Sequence, residues 1–106
     1  MADDTHGDAL PGADLVERGL GDMRAGRESV EALLVAVGAP RLRRLGVDLL
    51  EAGALPARPE HCLYDLLART DARTAHSAYN ALIRRLVSFE RAMELAAQRA
   101  ERGPSS

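Results

Sequence analysis

Residues 75–102 read AHSAYNALIRRLVSFERAMELAAQRAER, without a single Gly or Pro. Within that run Ala75, Tyr79, Leu82, Leu86, Phe89, Met93, Ala96 and Ala100 succeed one another at alternating spacings of four and three. Residues three and four apart are neighbours on a helix surface, so the series is one apolar stripe with a heptad period. With Tyr79, Leu86, Met93 and Ala100 at a positions and Ala75, Leu82, Phe89 and Ala96 at d positions, Arg85 falls at g and Glu90 at the following e. Those are the positions at which parallel helices pair charges across a seam. Ile83 and Val87 widen the stripe beyond a strict seam, as burial in a globular bundle also requires. Two uses of the helix therefore stand side by side, core packing within the chain and a helix–helix surface between chains.

Working back from this helix, Thr70 and Asp71 are its candidate caps. The preceding helix is expected to start at Pro59 and Glu60, to carry Leu63, Leu66 and Leu67, and to stop near Arg69. Gly53, Pro56 and Pro59 mark a linker before it, to which Val47 to Ala52 would add a helical turn. A short helix is expected over Pro40 to Leu45, because proline fits a first helical turn, with Gly46 ending it. Gly38 suits the end of an earlier helix, about Glu28 to Val37, whose Val30, Leu33, Leu34 and Val37 face a core. A first helix, capped by Asp14 and reaching about Arg24, presents Val16, Leu20 and Met23 at i, i+4 and i+7. Gly19 and Gly21 weaken it, since Gly costs about 1 kcal/mol against Ala in a helix interior.

The expected fold is all-α, a small bundle of four to five helices with a long heptad-patterned C-terminal helix. Residues 13–102 form its single domain, between a disordered acidic tail at 1–12 and a second disordered tail at 103–106. Aromatic residues are only 3% of the 106, so the core falls to Leu, Val and Ala, which favours helices over strands. A domain this small buries a marginal core, and a partner or a second copy would help it. All 14 basic residues are Arg, a bias expected of GC-rich coding DNA and hence of a bacterial source. The net charge of −2 and pI near 5.9 argue against a dedicated nucleic-acid binder. A lone cysteine, Cys62, precludes an intrachain disulfide and a multi-cysteine zinc site, and it reads as a small core residue. Residues 1–12 lack the basic start and apolar stretch of a signal peptide, and no segment offers the ~20 apolar residues of a membrane span. The expected compartment is the cytoplasm.

No pair among His6, His61 and His76 has the i, i+4 spacing of a helical metal site. Ser77 adjoins His76 but faces another way on a helix, and Ser88 has no His or Lys set to activate it. No catalytic residue, metal or cofactor is expected. Arg41, Arg43 and Arg44 cluster after Gly38, in the manner of a helix-turn-helix whose arginines meet a major groove, although Arg44 stands where a recognition helix buries an aliphatic side chain. Arg84, Arg85 and Arg91 form a second basic strip, interrupted by Glu90.

Two resemblances bear on function. Arg69, six residues and then His76 resemble the Arg-x4-6-His motif of HEPN-domain ribonucleases, all-helical proteins in which His moves a proton and Arg stabilises phosphate charge. The second covers roughly Leu15 to Met93 and rests on three stretches: Glu31-Ala-Leu-Leu-Val through Ala39-Pro-Arg-Leu; Pro59 and Glu60 with Leu63 and Tyr64; and Ala75-His-Ser-Ala-Tyr-Asn-Ala-Leu-Ile-Arg-Arg-Leu-Val-Ser-Phe to Glu90. These are similar to small bacterial antitoxin-like proteins encoded beside AbiEii-type nucleotidyltransferase toxins. The resemblance implies a non-enzymatic module that neutralises its toxin by packing helices against it. Helix-in-groove recognition would use Tyr79, Leu82, Leu86, Phe89 and Met93 as anchors, flanked by Arg84, Arg85 and Arg91. The expected partner is the cognate toxin, with self-association through the C-terminal helix as a further expectation, and neither a membrane nor nucleic acid as the target.

Overall fold

A computed structural model describes residues 10–49 and 55–102 of the chain. Most of the two expected disordered tails, the helical turn expected past residue 49, and His6 lie outside the described residues. Four helices are described: α1 (Ala13–Arg24), α2 (Val30–Arg44), α3 (Pro59–Thr70) and α4 (Ala75–Arg102). The structure is thus an all-α bundle with a long C-terminal helix. No described helix is long and apolar enough to cross a membrane.

Helix α2 is the hub, packed against α1, α3 and α4, while α4 also lies along α3. Its consecutive residues Ala32, Leu33, Leu34, Val35 and Ala36 are all buried, as expected of a helix surrounded on most sides. This placement overturns the expected break near Gly38. The helix runs through Gly38 and Pro40, and Gly38 lacks the positive φ of a C-terminal glycine. Pro40 has no amide to donate to the carbonyl four residues earlier, and such a gap normally breaks a helix. Here burial of Leu33, Leu34, Val35, Ala39 and Leu42 on either side of the gap outweighs it. The expected short third helix is therefore the last turn of α2.

Helix ends follow local chemistry more closely. Ser29 caps α2 by accepting from the Ala32 amide at 3.1 Å, and its hydroxyl donates to Asp22 Oδ2 at 2.6 Å. That hydroxyl, followed by Arg27, holds the Asp22 carboxyl below its ordinary value. Gly46, at φ +99°, ends α2 as expected. Its amide reaches the Arg43 carbonyl at 3.1 Å and Val47 reaches Leu42 at 2.9 Å, the paired bonds of a Schellman closure. Val47, Asp48 and Leu49 beyond it are not helical, and Leu49 folds into the core.

Three expected ends are corrected. Asp14 is not the cap of α1: Gly12, at φ +80°, holds that position, and Asp14 lies in the first turn, paired with Arg85 at 3.2 Å. Leu10 and Gly12 are not part of a free tail either, because Leu10 packs on the core and Gly12 is buried against the Arg85 carbonyl. Thr70 and Asp71 do not cap α4, since α3 extends through Thr70 and Asp71 accepts from the Arg73 amide at 3.0 Å in the connecting turn. Thr74 leads into α4, its carbonyl accepting from Ala78.

The helices meet where a side chain is missing. At Gly19 an added Cβ would collide with the Glu31 carbonyl and stand 2.6 Å from Val35 Cγ2, so α1 and α2 cross there at nearly backbone contact. At Gly38 the same atom would lie 3.0 Å from Leu86 Cδ1, Leu86 Cδ2 and Glu90 Oε2, which sets α4 close on α2. Both glycines, read from the chain as a weakness and as a helix stop, are crossing points.

Candidate interaction surface

Helix α4 holds every residue of the expected partner surface, and the bundle divides them between its two sides. Leu86 and Phe89 are only 4% and 7% exposed and belong to the core formed with Leu34, Leu42 and Leu63. They support the helix from beneath and are not available as surface anchors in this fold. Tyr79, Leu82 and Met93 are half-buried at the margin of the same cluster. The Tyr79 ring packs tilted on Tyr64, with centroids 5.8 Å apart, and burial, then the Glu60 charge, push its phenol above the ordinary value. Ala96 and Ala100, the last members of the heptad, are exposed. The stripe is thus internal core through Met93 and uncovered beyond it.

Charge is partitioned as sharply. The expected pairing of Arg85 with Glu90 across a parallel assembly is replaced by pairs within the chain. Arg85 meets Asp14 at 3.2 Å, and Glu90 meets Arg41 at 3.5 Å. Glu90 is buried, and burial pushes its carboxyl above the ordinary value despite the opposing pull of Arg41 and Arg44. Arg41 also holds Glu94 at 2.9 Å. Of the basic cluster on α2, Arg41 is therefore committed to α4, whereas Arg43 and Arg44 are exposed. With Gly38 inside a continuous helix, the turn that a helix-turn-helix requires is not formed there.

Opposite the buried seam, Ala81, Arg84, Ser88, Arg91, Leu95 and Gln98 occupy successive c and f positions, and all are exposed. This outer row contains no carboxylate. Arg84 and Arg91 have no ion-pair or hydrogen-bond partner among the described residues, and seven residues of helix place their Cα atoms about 10.5 Å apart on one face. Short side chains at Ala81 and Ser88 keep the ground around the guanidinium groups low. A shallow depression of about 350 Å³ opens there, bordered by Pro11, Gly12, Ala81, Arg84, Arg85 and Ser88. Past Glu94, each residue from Leu95 to Ala100 is exposed, so α4 projects beyond its last ion pair with the bundle.

The sequence had grouped Arg84, Arg85 and Arg91 as flanking charges. Among the described residues Arg84 and Arg91 have no partner, whereas Arg85 has one. The heptad frame already contained this row as the positions opposite a and d, but the commitment of Arg85 to Asp14 depends on where α1 packs.

The chemistry-bearing residues elsewhere are mostly exposed. Arg69, in the last turn of α3, and His76, in the first turn of α4, are both exposed; no hydrogen bond joins them, and His76 Nε2 lies 3.2 Å from Asn80 Nδ2. His61 is exposed beside Glu60, Tyr64, Asp65 and Tyr79 at a second shallow cleft. Cys62 packs against the core, half-buried. No group of three or more His, Cys, Asp or Glu among the described residues is placed to hold a metal ion. Comparison with protein families, with curated proteins and with solved structures returns no match to this chain.

Proposed function

We propose that the chain is a non-enzymatic protein-binding module of antitoxin type, a bacterial cytoplasmic protein that neutralises a nucleotidyltransferase-type toxin by laying α4 against it. The observation that carries this reading is the outer row of α4, where Arg84 and Arg91 stand exposed, in register on one helix and without a partner among the described residues. An enzyme that handles nucleotides and a divalent metal needs carboxylates in its cleft, and two guanidinium groups on one helix face complement that charge. Arginines at the centre of such a contact are common hot spots. Leu86 and Phe89 act indirectly, by fixing α4 on the bundle. The resemblance of residues 15–93 to antitoxins of AbiEii-type systems points the same way.

The test is growth rescue and co-purification with the product of the adjacent gene, comparing wild type with Arg84→Gln/Arg91→Gln. Loss of about 2 kcal/mol or more, roughly 30-fold in affinity, is expected on removing two interface arginines, with melting of the free protein unchanged. Full rescue by the double variant would overturn the surface. Rescue by neither protein would overturn the antitoxin assignment. A dimer in sedimentation that dissolves in the double variant would give the row to a second copy of the chain.

A further inference from the structure

The outer row of α4 has a candidate occupant in the chain itself. Residues 1–9 read MADDTHGDA, with Asp3, Asp4 and Asp8 and no arginine before Arg18. This segment joins the bundle at Leu10, Pro11 and Gly12. Pro11 and Gly12 border the same depression as Arg84, Arg85 and Ser88. Gly12 sits so close to α4 that an added Cβ would be 2.7 Å from the Arg85 carbonyl. The most acidic stretch of the chain therefore enters beside Arg84, an arginine with no ion-pair or hydrogen-bond partner among the described residues.

Reach and charge both fit. At about 3.3 Å per extended residue, the chain from Pro11 to Asp8 can span roughly 10 Å and that to Asp3 roughly 26 Å. The arginines to be met are about 10.5 Å apart along the helix. The carboxylates of Asp14 and Glu94 are paired elsewhere, with Arg85 and Arg41. A tether this short gives an effective concentration in the millimolar range, enough to populate a contact that would be negligible between separate molecules.

We propose that the acidic segment Met1–Ala9 is a tethered occupant of the row formed by Arg84, Ser88 and Arg91, which an acidic partner must displace. The proposal uses the arginine row but not the identity of any partner, so its test requires only this chain. The full-length protein and its Asp3→Asn/Asp4→Asn/Asp8→Asn variant would be compared by NMR of the arginine Nε–H and α4 amide resonances. The expected differences centre on Arg84, Ser88 and Arg91 at about 50 mM salt and collapse at about 500 mM, where screening shortens the Debye length to a few ångströms. Poly-glutamate serves as the acidic probe, and freeing a row that the segment fills about two-thirds to nine-tenths of the time should tighten its binding by about 3- to 10-fold. In Arg84→Gln/Arg91→Gln, the aspartate changes should have no further effect on either readout. Identical spectra for wild type and the triple variant, or differences centred on Arg43 and Arg44, would overturn the proposal. So would equal poly-glutamate affinity. Failure of toxin neutralisation leaves these readouts untouched, so the two proposals fail separately.

Discussion

Two glycines in the same helix, two residues apart, should respond in opposite ways to one methyl group. Helix propensity alone predicts that Gly19→Ala and Gly21→Ala each stabilise the protein, by up to about 1 kcal/mol. At Gly21 nothing lies within 4 Å of the new Cβ and the site is exposed, so that gain should appear in full. At Gly19 the Cβ would be 2.6 Å from Val35 Cγ2 and 2.8 Å from the Glu31 carbonyl carbon, against an ordinary contact of at least 3.4 Å. Val35 is completely buried and cannot swing away, and the Glu31 carbonyl is backbone. Relief requires α1 and α2 to separate by most of an ångström, which loosens Leu15, Val16, Leu34 and Val35 together. Overpacking of this kind costs about 1–3 kcal/mol, and the propensity gain offsets only part of it, so a net loss of roughly 1–2 kcal/mol is expected. For a domain of this size that is a fall in Tm of about 5–15 °C, beside a rise of a few degrees for Gly21→Ala. Thermal and urea melts followed by circular dichroism at 222 nm read both. Gly19→Ala melting at or above wild type would refute the α1/α2 crossing and the packing argument built on it.

Glu90→Gln tests the buried carboxylate on α4. Burial raises its pKa above 4.5, so folding favours the protonated form; the carboxylate costs stability as pH rises from about 4.5 through the raised value, and the cost persists above it. The glutamine variant, still able to accept from Arg41, should match or exceed wild-type stability at pH 7, with the difference shrinking toward pH 4.5; a difference that grows on acidification would contradict this sign. Phe89→Ala should destabilise the isolated protein by about 3–5 kcal/mol, as truncation of a buried aromatic does, with no partner present. Unchanged melting would mean that Phe89 is not the core residue its 7% exposure makes it.

Several features were legible in the chain because they depend on local geometry. The absence of Gly and Pro from residues 75–102, together with their heptad period, determined a long helix with one apolar side. Gly46 at the end of α2 and Pro59 at the start of α3 were readable from backbone preferences, which act within a few residues. What lay beyond local reading was decided by packing. Gly38 and Pro40 look like punctuation, but α2 lies between three other helices, and burial of Leu33, Leu34, Val35, Ala39 and Leu42 outweighs one missing hydrogen bond. Gly19 looks like a weakness, yet it is where α1 and α2 touch. The candidate surface divides in the same way. The heptad separated a buried row from an outer row, but periodicity carries no information about what covers either. Only the tertiary structure assigned Leu86 and Phe89 to this chain's own core, Arg85 to Asp14 and Arg41 to Glu90 and Glu94. These contacts join residues distant in sequence, so their partners follow from how α1 and α2 dock on α4. That docking leaves Arg84 and Arg91 as the charges of the outer row without a partner among the described residues, a distinction between neighbouring arginines that no local pattern contains.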